Sequence, residues 1–199
     1  MSAAVITYDR GMGRWEPNAR GRLQQAAFAL YGERGFENTT VAEIAARAGL
    51  TERTFFRHFT DKREVLFWGS GILQDLMVRA VADAPESAAP IDAIAAALDA
   101  AGAVFQERHD SARQRQAIIA ANPELQEREL IKLASLTTAL AGALHRRGVE
   151  DPAASLAAQA GMAVFHVTFQ RWIEATGQPD FTQLARDSLD ELKAVTAGK

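Results

Sequence analysis

Residues 40–62, TVAEIAARAGLTERTFFRHFTDK, constrain the fold more than any other stretch, because two helix starts and a helix stop fall within it. Thr40 and Glu43 have the spacing of a capping box, in which the hydroxyl accepts from an orphan backbone N–H and the carboxylate reaches back to the cap. Val41, Ile44, Ala45 and Ala48 recur at helical spacing and share one buried face. Gly49 stops that helix by taking the left-handed conformation that other residues resist. Thr51 is the next N-cap, and apolar Leu50 staples the turn to a core. Phe55 and Phe59, four apart, face inward, which turns Glu52, Arg53, Thr54 and Arg57 outward. A short, cationic, hydroxyl-bearing face suits a helix that enters a DNA major groove.

The same stretch sits inside a longer ordered pattern over residues 22–66. A long first helix ends Tyr31-Gly32-Glu33-Arg34-Gly35-Phe36; then come Thr39-Thr40-Val41, Ile44-Ala45, Ala48-Gly49, the Phe55 to Phe59 run and Asp61-Lys62. In this order they resemble the DNA-binding domain of the TetR family of bacterial transcriptional regulators. Arg53 stands where a small residue is common and Phe56 where tyrosine is common. The resemblance implies an all-α protein, with a three-helix helix-turn-helix head and a larger helical domain for effector binding and dimerisation. It implies a homodimer on double-stranded, palindromic operator DNA and a repressor released by a small-molecule effector. Thr40, His58 and Lys62 are expected to set register on phosphates, and Arg53, Thr54, Phe56 and Arg57 to read bases; Thr51 and Glu52 complete the DNA-binding set.

Charge supports the division. The net charge of −3 splits into 10 Lys+Arg against 7 Asp+Glu in residues 1–63 and 12 against 18 in residues 64–199, so the basic balance lies with the motif. Hydrophobic residues make up 48% of the chain, too many for a largely disordered one. The absence of cysteine excludes disulfides, thiolate metal sites and a Cys nucleophile. No apolar run reads as a membrane span or signal-peptide core, so the expected compartment is the cytoplasm, with no membrane partner.

Along the chain, residues 1–17 read as a mobile arm, whose Arg10 and Arg14 either enter a minor groove or stay solvated. Residues 18–64 form the head: Asn18 caps a first helix with Leu23, Ala27, Leu30 and Tyr31 inward, and Arg20 or Arg22 within reach of phosphate. Residues 65–199 form the effector and dimerisation domain. Asp61 and Glu64 have capping-box spacing before a helix that Gly69-Ser70-Gly71 interrupts, either as a hinge or as small residues under a packed neighbour. After the linker APESAAP at 84–90, helices are expected at about 91–108, 111–121, 124–147, 153–176 and 181–195, with stops at Asn122-Pro123, Gly148, Asp151-Pro152 and Gly177-Gln178-Pro179.

The helix at 153–176 is apolar on two sides. Met162, Phe165, Phe169, Trp172 and Ile173 make one stripe; Leu156, Ala160, Ala163 and Val167 make another. With Leu184, Leu189 and Leu192 of the last helix, the second stripe reads as a subunit interface, as the resemblance implies, or as a central helix of a monomer. Trp68, Phe105, Gln106, Phe165, His166, Phe169 and Trp172 are candidate effector-lining residues, although the same spacing serves a core without a ligand. Arg113-Gln114-Arg115, ahead of Ile118-Ile119 and Asn122-Pro123-Glu124-Leu125-Gln126-Glu127-Arg128, is similar to a TetR-like subgroup that senses acyl-CoA-type ligands and includes mycofactocin-associated regulators. Arg113 and Arg115 would hold phosphate while Ile119 meets a tail, or the stretch is a solvated helix end.

His58, His109, His145 and His166 lack a second ligand at metal spacing, and no nucleophile elbow, phosphate-cradling glycine loop or carboxylate pair is present. No cofactor, metal or enzymatic activity is expected. The reading of a different class is an architectural DNA-binding protein without an effector.

Overall fold

The computed structural model describes residues 18–106, 108–177 and 179–198. Among them the regular structure is helical: α1 Ala19–Arg34, α2 Val41–Arg47, α3 Glu52–His58, α4 Glu64–Phe67, α5 Ser70–Asp83, α6 Pro90–Phe105, α7 His109–Ala120, α8 Pro123–Arg146, α9 Ala153–Glu174 and α10 Phe181–Thr196. The expected arm, with Arg10 and Arg14, lies outside the described residues.

Helix ends follow local chemistry. Asn18 Oδ1 accepts from Gly21 N at 3.2 Å, and Gly35 closes α1 at φ 83. Pro90 and Pro123 occupy first-turn positions of α6 and α8, where a missing N–H costs nothing. Asp180 Oδ1 accepts from Thr182 N and Gln183 N to start α10. Asp61 Oδ1 accepts from Arg63 N and Glu64 N at 2.8 and 3.0 Å. The expected reciprocal half of that second capping box is missing: the Glu64 carboxylate accepts from Arg128 instead, with Lys132 3.9 Å away.

Side chains bury into two clusters. One gathers Leu23, Ala27, Leu30, Tyr31, Phe36, Ile44, Phe55 and Phe59 from α1–α3 with Val65, Leu66 and Phe67 of α4. The other gathers Met77 and Val81 of α5 with apolar faces of α6, α8, α9 and α10. Packing therefore carries the head through Phe67, and the expected boundary at residue 64 cuts its core. The break between α4 and α5 falls at Trp68–Gly69, where the Ser70 hydroxyl donates to the Phe67 carbonyl at 2.7 Å.

Close approach fixes the larger bundle. A methyl group built on Gly161 of α9 would stand 2.2 Å from Ile94 Cγ2 of α6, and one on Gly102 of α6 only 3.3 Å from Thr182 Cα of α10. Against the expectation that no apolar run is long enough for a membrane span, Glu64–Asp83 is 20 residues long and holds an 18-residue window of mean hydropathy 1.3, enough by length and composition alone. Its Leu73, Met77 and Val81 are instead spent on the core of the larger bundle.

Candidate nucleic-acid interface

The α2–α3 unit is assembled from its own side chains. Thr40 Oγ1 accepts from Glu43 N at 3.2 Å, and Glu43 Oε2 accepts from Thr40 N at 2.9 Å, which holds the carboxyl below its usual range. Arg34 donates to the same carboxylate at 2.8 Å, and Arg47 grips Glu33 through two 2.6 Å bonds. Gly49 turns the chain at φ 65, Leu50 N returns to Ala45 O at 2.8 Å, and the Arg22 guanidinium donates to Ala48 O. Thr51 Oγ1 then accepts from Thr54 N at 3.2 Å and starts α3. Arg22 thus closes the end of α2, a role different from the phosphate contact considered for it.

Buried Phe55 and Phe59 orient α3 against the head, their ring centroids 5.4 Å apart. Glu52, Arg53, Phe56 and Arg57 consequently share one exposed face, and Phe56 keeps 55% of its surface open. Thr40 and Thr51 are exposed at the two helix starts, whereas Thr54 is half-buried with its hydroxyl 3.1 Å from that of Thr51. His58 is half-buried; its Nε2 is enclosed without a hydrogen-bond partner. Burial, then Arg20 and Arg57, hold this imidazole below the ordinary value.

Lys62, expected on phosphate, has a structural role within the head. Its Nζ donates to the carbonyl oxygens of Phe36, Glu37 and Thr39 at 2.8, 3.2 and 3.0 Å, and it lies over the Phe36 ring. An ammonium has three donors, so all are occupied inside the head. Tyr31 Oη completes the clamp by donating to Lys62 O at 2.6 Å. In this arrangement Lys62 holds the approach to α2 against the approach to α4.

The α7–α8 elbow also departs from the sequence reading. Ile118, Ile119 and Leu125 are buried in the head's cluster, so Ile119 does not line an effector chamber. Arg115 donates through Nε to Leu66 O at 2.8 Å and to Glu129 at 2.8 Å, and lies over the Phe67 ring. It is therefore a joint between segments, and exposed Arg113 does not pair with it as a phosphate grip. Gln114 donates to Phe28 O, Arg63 bridges Asp61 and Glu124, and Arg128 meets Glu64. The sequence signal was an adjacent isoleucine pair and a leucine set in a strongly charged stretch.

Of the candidate effector-lining residues, Phe105, Phe165, Phe169 and Trp172 meet in one aromatic cluster, with centroid separations of 5.5–6.1 Å around Phe105. Phe181 joins at 4.9 Å and His109 stands edge-on to Trp172; the sequence reading missed both. His109 Nε2 donates to Trp172 O, and Trp172 Nε1 to Pro179 O. Gln106 and His166 are exposed and outside the cluster, and Trp68 packs on the head. The seven residues thus occupy separate places because helical spacing reports a face, not the neighbour that covers it.

On α9, Leu156 is 65% and Val167 44% exposed; Ala163 is exposed and Ala160 half-buried. The opposite stripe enters the core. On α10, Leu189 is only 5% exposed, Leu184 and Leu192 are half-buried against the same core, and Val195 is an exposed large apolar residue. Among the described residues, no cluster of His, Cys, Asp and Glu could hold a metal ion.

Comparison with known proteins agrees with this architecture. Residues 23–67 match the family described as bacterial regulatory proteins of the tetR family, and residues 88–197 match the MftR C-terminal domain. The transcriptional regulator TcmR of Streptomyces glaucescens is 33% identical over 81 residues, 41% of this chain and 36% of that protein, so the match spans about a third of that relative's length. A putative mycofactocin biosynthesis regulator, MftR of Mycobacterium tuberculosis, is 26% identical over 143 residues, covering 71% of this chain and 72% of the relative. The crystal structure of the regulator FadR from Bacillus subtilis, in complex with stearoyl-CoA, superposes with a TM-score of 0.62 at 21% identity, covering 86% of this chain and 96% of that one. Through both matched segments the chain belongs to the TetR family of transcriptional regulators, with a C-terminal domain of the MftR type.

Proposed function

We propose that this protein is a ligand-responsive repressor that binds a palindromic operator as a homodimer. The observation that carries the reading is the exposed α3 face of Glu52, Arg53, Phe56 and Arg57 on a helix held at both ends by caps and buried phenylalanines. Arg53 and Arg57 bridge guanine O6 and N7, and Phe56 meets a thymine methyl. Thr40, Thr51, Thr54 and His58 set the register of the head on phosphates and neighbouring bases.

The two heads, about 34–36 Å apart, enter successive major grooves of one DNA face. Leu156, Ala160, Ala163 and Val167 supply an apolar stripe for the second copy. FadR was crystallised with stearoyl-CoA, and this supports an effector with an apolar chain, acyl-CoA-like in kind. Such an effector lowers operator affinity by preferring the dimer whose heads are wrongly spaced.

Selection of bound fragments from genomic DNA tests the reading. A two-fold symmetric consensus with half-sites one helical turn apart is expected, and release of those fragments by ligand. Sequence-independent recovery of DNA, unchanged by Arg53→Ala, would sink it in favour of an architectural protein.

A further inference from the structure

The head is joined to the larger bundle along two routes. One is the chain itself, through the α4–α5 break, where a methyl group built on Gly69 or on Gly71 would meet nothing within 4 Å. No packed neighbour at either position holds the angle between the two helices. The other route is lateral, across the α7–α8 elbow, and it is made of directed bonds. Arg128 Nε donates to Glu64 Oε1 at 2.8 Å, and Lys132 Nζ stands 3.9 Å from the other oxygen of that carboxylate. Arg115 divides its donors between the Leu66 carbonyl and the Glu129 carboxylate, each at 2.8 Å, while its guanidinium covers the Phe67 ring. Glu64, Arg115, Arg128 and Glu129 are all half-buried.

The shared core beneath, Val65, Leu66 and Phe67 against Ile118, Ile119 and Leu125, attracts without direction. Charge-assisted bonds have defined lengths and angles, and a planar guanidinium held on two acceptors fixes an orientation as well as a contact. Partly exposed ion pairs add little to stability, and their larger effect here is on geometry. We propose that Glu64, Arg115 and Arg128 are positioning residues for operator recognition: they set the angle at which the head leaves the bundle, and so fix the separation of the two recognition helices in the dimer. None of them belongs to the exposed face of α3, so they act on DNA only through the placement of Arg53, Phe56 and Arg57. The inference rests on the homodimer reading above and adds to it a determinant of half-site spacing. A change of two base pairs displaces a half-site by about 7 Å along the duplex and about 70° around it, which a braced pair of heads rejects and an unbraced pair follows.

The test uses the full-length protein and double-stranded DNA selected by it from a random pool. From the selected consensus a series is built with the centre shortened or lengthened by one and by two base pairs, and affinities are measured for wild type, Glu64→Gln, Arg115→Gln, Arg128→Gln and Arg128→Lys. Wild type is expected to prefer its own spacing by about tenfold over a two-base-pair change. In the three glutamine variants, which break the brace from both of its sides, that ratio should fall to within about threefold while the half-site sequence they select stays the same. Arg128→Lys keeps a donor for Glu64 and should retain most of the ratio. A residue that only stabilises the fold would lower affinity for every spacing alike, so ratios unchanged in the glutamine variants overturn the inference whatever the loss of overall affinity. A wild-type selection without paired half-sites overturns the homodimer reading itself, an outcome distinct from unchanged ratios on paired sites.

Discussion

The Lys62 ammonium donates to the Phe36 carbonyl oxygen at 2.8 Å while lying 4.4 Å from the centroid of the Phe36 ring. With Glu37 O and Thr39 O as further acceptors, this side chain ties the start of the helix-turn-helix to the α3–α4 loop. Lys62→Met should therefore destabilise the protein by about 1–3 kcal/mol in denaturant unfolding. Operator affinity falls with the folded head, but the slope of log affinity on log salt stays unchanged. A slope reduced by about one would mark a lost phosphate contact instead.

Ile119 belongs by sequence to the effector domain and by packing to the head. Ile119→Ala should cost about 2–5 kcal/mol. Hydrogen exchange should show the loss in α1 and α4 as strongly as in α7; protection lost in α7 alone would mean that the elbow does not support the head.

Two glycines with opposite surroundings give a paired test. Gly69→Ala meets open space in a right-handed helical conformation and should stabilise by up to about 1 kcal/mol. Gly161→Ala drives a methyl into Ile94 and should destabilise by about 1–3 kcal/mol. Thermal unfolding distinguishes them; similar shifts would contradict the close α6–α9 approach.

Leu156 and Val167 project from α9 with most or nearly half of their surface open. Leu156→Glu with Val167→Glu should leave the subunit's helicity unchanged and convert a dimer into monomer in sedimentation velocity. Operator binding should weaken with it, since one head retains only half of the contacts. A variant that sediments as wild type would place the interface elsewhere.

His58 sets a pH dependence. Its folded value lies below the ordinary 6.5, first through burial and then through Arg20 and Arg57. As pH falls, the unfolded chain takes the proton first, so this contribution to stability is intact above about 6.5 and is lost as pH drops through the folded value. His58→Gln should flatten the acid-side loss of stability below that point, measured as denaturation midpoint against pH.

Local patterns were enough for the helix-turn-helix. Thr40, Glu43, Gly49 and Thr51 act within a few residues of themselves, and their hydrogen bonds and backbone angles match the spacing. The outer face of α3 followed from the Phe55–Phe59 interval for the same reason. Long-range partners were not legible. Asp61 and Glu64 have capping-box spacing, yet Arg128, 64 residues away, takes the Glu64 carboxylate. Arg115 looked like a phosphate grip because nothing in its own helix shows that the Leu66 carbonyl would meet it.

By itself the sequence determined that this chain is helical, where most helices begin and end, and which face of α3 is exposed, because caps, turns and periodicity act between near neighbours. Only the tertiary structure decided which apolar face meets which. It gave Ile118, Ile119 and Leu125 to the head, closed Phe105, Phe165, Phe169, Trp172 and Phe181 on one another, and turned Leu189 inward. Hydrophobic burial is non-directional, so a helical stripe states that it must be covered and leaves the covering partner to the packing of the whole chain.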